Sequence, residues 1–454
     1  MSDTLEAPLS LPALTDALVQ AAQRAGADAA DAMAVAGTSQ SIDVRAGMLE
    51  QAERSEGVEI GLRVLIGRRQ ACVSASDTRE ATLAAMAERA VAMAREAPED
   101  PHLRLAEPGE LSARRDAGGL DLDDPSPEPT PEVLEADARA AEAAALAVAG
   151  VAQVQSASAA WGRRVVHLAA SNGFSGGYAL SSRHTACVAI SGEGTGMERD
   201  WHAESRVYQA DLPEAAMIGR IAGERAVARK GARKPKTGAY PVLYDERISA
   251  GLIRHLLAAI NGSSVVRGSS WLRDAMGDAV LPADMSLTEN PLRQRTSGSR
   301  PFDAEGLETA SRVLVRDGVL ESWVLDLGTA SKLGTRSTAN AVRGVSTPPS
   351  PSVSNVTLTQ GLASREDLLA EMGTGLLVTS LIGSSINPTT GDYSRGASGF
   401  WVENGQIAWP VNECTIAGNL RNMLQRMTPA NDARLHLSDQ VPSLLVEGLT
   451  IAGE

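Results

Sequence analysis

Apolar residues recur three and four positions apart over residues 12–25, and Gly26 follows them, so the chain is predicted to open with a helix. The pattern then shifts towards strand-like runs at 33–36, 41–45, 59–65 and 70–74. Asp77 and Glu80 form a start signal close to a capping box, and an alanine-rich helix is predicted from there to about 97. Residues 98–131 are rich in Pro, Asp and Glu and read as an exposed connection.

A second stretch repeats this grammar. Thr130 and Pro131 suit the cap and first turn of a helix running to about 149. Strands are predicted at 152–159 and 164–170, then an Asn172-Gly173 hairpin turn, more β sequence to 193, and a helix over 213–229. The common helix–strands–helix order hints at a duplication. Residues 229–236 carry Arg229, Lys230, Arg233, Lys234 and Lys236 among Gly and Pro. They read as a solvated interdomain linker, with a nucleic-acid patch as the competing reading.

Beyond residue 237 the grammar becomes mainly β. A helix is predicted over 246–260, followed by short β runs with hairpins at Asp317-Gly318 and Asn404-Gly405, dipeptides suited to a type I′ turn. The expected fold is α+β: helix/strand modules at 1–110 and 125–232, then a β-rich C-terminal domain with a few packed helices over 237–454.

Composition narrows the function. The 454 residues are 43% apolar and 22% charged but only 3% aromatic, with a net charge of −14. Few stacking platforms and an acidic surface argue against nucleic acid as a partner. Cys72, Cys187 and Cys414 are widely spaced and form no CxxC pair, which suits buried thiols in a reducing compartment. The first 18 residues show no basic region leading into an apolar run, and no stretch is apolar for long enough to span a bilayer. A cytoplasmic protein without membrane contact is expected.

Two short motifs are weak. Gly173-Phe-Ser175-Gly-Gly177 fits G-x-S-x-G, but that elbow needs a strand before it and a helix after it, and here β sequence continues. Gly192 to Gly196 reads as a turn, without the spacing of a phosphate loop. The richest segment is 373–420, where Gly391, Gly396 and Gly399 frame Asp392, Tyr393, Ser394 and Arg395 on what reads as a constrained loop. In the structural reading Asp392 and Arg395 pair across the turn while Tyr393 packs its ring. In the functional reading Arg395 takes a peptide carboxylate, and Asp392 or Tyr393 anchors backbone amides. Glu403, before the second hairpin turn, is expected to face solvent.

The run Gly391-Asp-Tyr-Ser-Arg-Gly-Ala-Ser-Gly-Phe-Trp-Val-Glu-Asn-Gly405 resembles the C-terminal signature of the TldD/PmbA family of modulator-of-gyrase-type metallopeptidases, in its PmbA (TldE) branch. Arg300-Pro-Phe-Asp303 with Glu305-Gly306, and Lys332-Leu-Gly334 with Ser337-Thr338, are also similar to the family pattern. The resemblance implies a zinc site on a His-Glu-x-x-x-His helix in the catalytic branch. Here the matching helix carries His255, but Ala250 and Gly251 stand where the first histidine and the glutamate would be. The six histidines include no pair within five residues, and no cysteine follows Cys414 to supply the tail thiolate. His255 falls at the edge of an apolar arc and reads either as a core-flank residue that hydrogen-bonds locally or as part of a subunit interface or vestigial cleft.

The resemblance therefore implies a zinc-less, non-catalytic subunit, with zinc expected in a TldD-like partner and with short or unfolded peptides as substrates. The alternatives are an autonomous metallopeptidase with an unrecognised site, and a regulatory or binding protein without a peptidase role.

Overall fold

The computed structural model describes residues 9–454; the first eight, part of the N-terminal stretch expected to carry no secretory signal, lie outside the described residues. Helix α1 (Leu11–Arg24) begins where the Ser10 hydroxyl accepts the Ala13 N–H, with Pro12 in the first turn. It buries Leu14, Leu18 and Ala22. Three antiparallel strands follow, β1 (Ala29–Arg45), β2 (Met48–Ile66) and β3 (Arg69–Ala75), and then α2 (Glu80–Glu96). The expected capping box at α2 does not form. Asp77 instead accepts from the Arg79 backbone and guanidinium and from the Thr82 hydroxyl, leaving Arg79 at the N-cap without a side-chain cap bond.

The same order recurs as α3 (Pro131–Leu146), β4 (Val151–Ala170), β5 (Ser175–Ser191), β6 (Glu198–Arg206) and α4 (Ala215–Ala228). The six strands form one sheet, β3-β2-β1-β4-β5-β6, joined in the middle by the antiparallel β1–β4 pair. The two short strands expected at 33–36 and 41–45 are one, as are those at 152–159 and 164–170. Gly37 to Gln40 hold the register of β1 because β2 and β4 pair with them on both sides, so no continuous apolar alternation is needed.

Side-chain alternation places all four helices on one face of this sheet. Ala30, Ala32, Ala34, Ile60, Leu62 and Val64 bury against α1 and α2, while Ile42, Val44, Ala157, Ala159 and Trp161 lie on the same face against α3 and α4. The opposite face meets the C-terminal domain, and at Gly61 the approach is so close that a Cβ would overlap the Val345 carbonyl.

The first connection is less solvated than expected, whereas in the basic run Lys230, Arg233, Lys234 and Lys236 are exposed as expected and the anchoring is local. Within residues 98–131, Leu120 and Leu122 are buried, and backbone bonds tie this segment to both neighbouring domains through Ser112–Gly306, Gly177–Arg115 and Arg295–Leu120. In the basic run Arg229 is buried against Asp200 and Ser398, and Arg233 lies 4.2 Å over the Trp409 ring. Scattered leucines and paired arginines dock both segments.

The C-terminal domain is built on β7 (Gly238–Tyr244), α5 (Glu246–Ala259), β8 (Gly375–Ile386), β9 (Asp392–Glu403), β10 (Gln406–Asn419) and β11 (Leu444–Ala452). The strands run in the order β10-β9-β8-β7-β11, and pairing of β10 with β11 closes the ring. One face, including Val242, Tyr244, Leu376, Val378, Ile416 and Val446, packs on Leu252, Ile253 and Leu256 of α5. Both predicted type I′ hairpins are present, with φ of 46° and 81° at Asp317-Gly318 and 51° and 76° at Asn404-Gly405. The architecture is α+β.

Asp392 to Arg395 are not a loop. They form the start of β9, all four paired with β10 and Tyr393 and Ser394 also with β8, so that Tyr393 lies opposite Ile386 and Gly418. The glycines that suggested a loop serve different ends: Gly391 turns the chain into β9 with a φ of 81°, while a Cβ at Gly399 would overlap the Leu377 carbonyl beside two register shifts.

Candidate functional site

Helix α5 is the element on which the resemblance places chemistry. Its N-cap Asp245 accepts the Arg247 N–H, which fixes the first turn. Around that turn lies a dense ion network. Arg247 pairs with Asp245 at 3.0 Å and with Asp200 at 3.2 Å, Arg365 reaches Asp245 at 3.3 Å, and Arg229 reaches Asp200 at 3.5 Å. Burial pushes the Glu246 carboxyl up.

Further along α5 the Ser249 hydroxyl donates to the Val441 carbonyl and Arg254 pairs with Asp439 at 2.7 Å, but the face that carries residues 250, 251 and 255 is poor in polar partners. Ala250 is half-buried against the domain core. Gly251 has ordinary helical backbone, and a Cβ there would meet nothing within 4 Å. His255 is half-buried with its ring edge-on to Tyr393, centroids 5.9 Å apart. Burial, and then the charge of Arg395, lower the pKa of His255 and favour its neutral ring. Among the described residues the expected local hydrogen bond of His255 finds no partner, and its ring meets the Tyr393 ring instead.

The four polar residues of β9 split between two faces by strand alternation. Tyr393 and Arg395 turn towards α5. The Tyr393 hydroxyl is 3.5 Å from that of Tyr244, and burial raises both phenol pKa values. Asp392 and Ser394 turn the other way; Asp392 accepts from Thr390 and Asn419, which hold its carboxyl below the usual range. The pairing of Asp392 with Arg395 is therefore absent. Arg395 forms no ion pair among the described residues, and its buried Nε has no acceptor. The structure thus gathers Gly251, His255, Tyr393, Arg395 and Tyr244, and separates Asp392 and Ser394 from them. Glu403 is exposed, as expected.

These residues do not fit a zinc ion. On this face only His255 offers a ligand atom, and the neighbouring guanidinium disfavours a second cation. Cys414 is a buried thiol donating to the Ala397 carbonyl, its pKa pushed up by burial to about 11. Among the described residues, no group of three or more His, Cys, Asp or Glu side chains is placed to hold a metal.

Histidines distant in sequence do meet elsewhere. His202 and His436 both approach Glu204 at 3.3 Å, but Arg206 and Arg434 share the same carboxylate. Burial raises the Glu204 pKa, and the bonds from His202, His436 and Arg206 with the Arg434 charge outweigh it, leaving the carboxyl well below the glutamate range. This is an interdomain ion cluster with its lone pairs already taken. Sequence reading missed it because Glu204 and Arg434 are 230 positions apart.

The Ser175 elbow is also resolved. Ser175 sits in the β4–β5 hairpin with no helix after it, and its hydroxyl is 3.5 Å from His167, whose other nitrogen is bonded to Thr15.

Comparison with known proteins gives three family matches in chain order: PmbA/TldA metallopeptidase domain 1 over residues 30–94, the central domain over 121–230 and the C-terminal domain over 237–453. The chain is 35% identical over 417 residues to "Metalloprotease PmbA" of Escherichia coli O157:H7, covering 91% of this chain and 90% of that one. It is also 35% identical over 441 residues to a "Metalloprotease PmbA homolog" of Haemophilus influenzae, covering 96% and 94%. Among solved structures, a candidate modulator of DNA gyrase from Bacteroides thetaiotaomicron superposes with a TM-score of 0.89 at 26% identity, covering 97% and 98%. TldE from Thermococcus kodakarensis shares the fold, with a TM-score of 0.84 at 21% identity over 96% and 99%.

Proposed function

The chain belongs to the PmbA/TldD metallopeptidase family, and within it we propose that it is a non-catalytic subunit of a heteromeric zinc peptidase acting on short or unfolded peptides. The observation that carries this reading is the middle of α5. The helix is firmly anchored, yet Ala250 and Gly251 bring no ligand or base, and His255 lies beside the cation of Arg395. A TldD-like partner would hold the zinc and polarise the peptide bond. This chain would complete the chamber, restrict access to small or unfolded substrates and hold part of the peptide. A cytoplasmic setting belongs to the same proposal; no described helix is long and apolar enough to cross a membrane.

The test is reconstitution. The purified chain, a zinc-bearing relative and their mixture are each given an unfolded peptide, and cleavage is followed by mass spectrometry. Cleavage that needs this chain, fails with it alone and persists in its His255→Ala variant supports the reading. Cleavage by this chain alone, lost on chelation and in His255→Ala, would replace it with an autonomous enzyme.

A further inference from the structure

Away from α5, the sheet face that carries no helices forms one wall of a cleft. Alternation and register put Met33 and Val35 of β1, Arg164, Val166 and Leu168 of β4, and Tyr178 and Leu180 of β5 on this face. Residues 297–304 and 341–343 of the C-terminal domain supply the opposite wall, enclosing about 240 Å³. The walls are largely apolar, and Tyr178 stacks edge-on against Phe302 at 5.5 Å.

Three polar groups converge there. Arg300 is 8% exposed; its Nη2 donates to the Ser352 carbonyl at 2.6 Å, and its Nε is buried without an acceptor. Arg164 is exposed at the mouth and forms no ion pair among the described residues. Both cations act on the Tyr178 phenol, pulling its pKa down against a larger rise from burial. Asp303 also borders the cleft, but its oxygens are spent on the backbone N–H groups of Glu305, Leu307 and Ala341. The cleft is a cationic spot on a chain of net charge −14.

It also has an approach. A groove of about 500 Å³ shares Arg164, Leu180 and Ser297 with the cleft and runs along the same sheet face. Its floor is made of small residues, including Gly37, Ser39, Gly57, Gly162 and Ser182, which leave room for an extended main chain. A groove that accepts backbone, ending in an apolar pocket lined by three guanidinium groups of which Arg343 is already paired with Asp31, is the chemistry of a chain terminus.

We propose that this cleft binds the C-terminal residue of a peptide, its carboxylate held by Arg164, Arg300 and the Tyr178 hydroxyl and its apolar side chain by Val166, Leu180 and Phe302. The choice of a peptide rests on the peptidase-subunit reading; the pocket itself calls for a carboxylate beside an apolar group. An N-terminally fluorescent, unfolded octapeptide ending in leucine, as free acid and as C-terminal amide, is titrated with the full chain alone and followed by anisotropy.

The free acid is expected to bind at least about tenfold more tightly than the amide, the size of a lost charge-assisted hydrogen bond. Arg164→Gln, at an exposed position where folding is not at risk, should shrink that difference, and Leu180→Trp should weaken the acid by filling the pocket. Equal affinity for acid and amide, or no binding, overturns the proposal. Free leucine binding as tightly as the peptide overturns the choice of a peptide. Discrimination without cleavage in the reconstituted mixture removes the subunit reading and leaves this site; cleavage without discrimination does the reverse.

Discussion

At the start of α5, Asp245, Arg247 and Asp200 are locked in mutual ion pairs, whereas one turn later Gly251 faces open space and His255 has an aromatic neighbour in place of a polar one. The first stretch has every feature of a helix positioned for a task. In the second, the imidazole of His255 stands alone beside the cation of Arg395, with no second ligand and no carboxylate base at Ala250 or Gly251. The contrast separates two roles that one active-site helix usually combines: holding domains in register and performing chemistry. In this chain the ion pairs at the start of α5 perform the first.

The largest effect should come from the anchored stretch. Arg247→Ala leaves Asp200 and Asp245 buried with fewer cations and should cost about 3–5 kcal/mol in urea unfolding. A loss near zero would mean that the first turn is not an anchor.

Two helical glycines give the next contrast. At Gly219 in α4 an added methyl would overlap the Ala141 carbonyl of α3, so Gly219→Ala should destabilise by about 1–3 kcal/mol. Gly251→Ala meets open space and should stabilise by about 0.5–1 kcal/mol. Equal effects in thermal melts would show that the space beside Gly251 is not open.

The Glu204 cluster yields a gentler test through pH. Its carboxyl is lowered in the folded state, so its stabilisation is complete above the unfolded value near 4.5 and is lost as pH falls through the lower folded value. Below about pH 4.5 the unmodified chain should lose stability more steeply than Glu204→Gln. Parallel curves would remove Glu204 from the account.

What could be read from the sequence follows the range of the interactions. The turns at Asp317-Gly318 and Asn404-Gly405 were legible because positive φ at two adjacent positions strongly restricts residue choice. Helices α1 to α5 were legible from periodicity, whereas the short helices at 262–266, 327–332, 365–372 and 420–425 were not placed, being too short to show a period; Ala250 and Gly251 were singled out by the resemblance alone. Long strands were cut short wherever a polar middle is held only by its neighbours, as at Gly37 to Gln40. Asp392 to Arg395 passed for a loop because Gly391 does turn the chain just before them, while the glycine at 399 serves close strand packing instead. Neither the ion cluster on Glu204 nor the cleft at Arg300 leaves a local signal, since each joins residues from separate domains.

Metal content measured on each separated subunit tests the central claim most directly. After equal exposure to zinc and removal of excess, the account predicts about one zinc per zinc-bearing partner and none retained by this chain, whether or not His255 is replaced by alanine. One zinc per chain here, lost in His255→Ala, would contradict it.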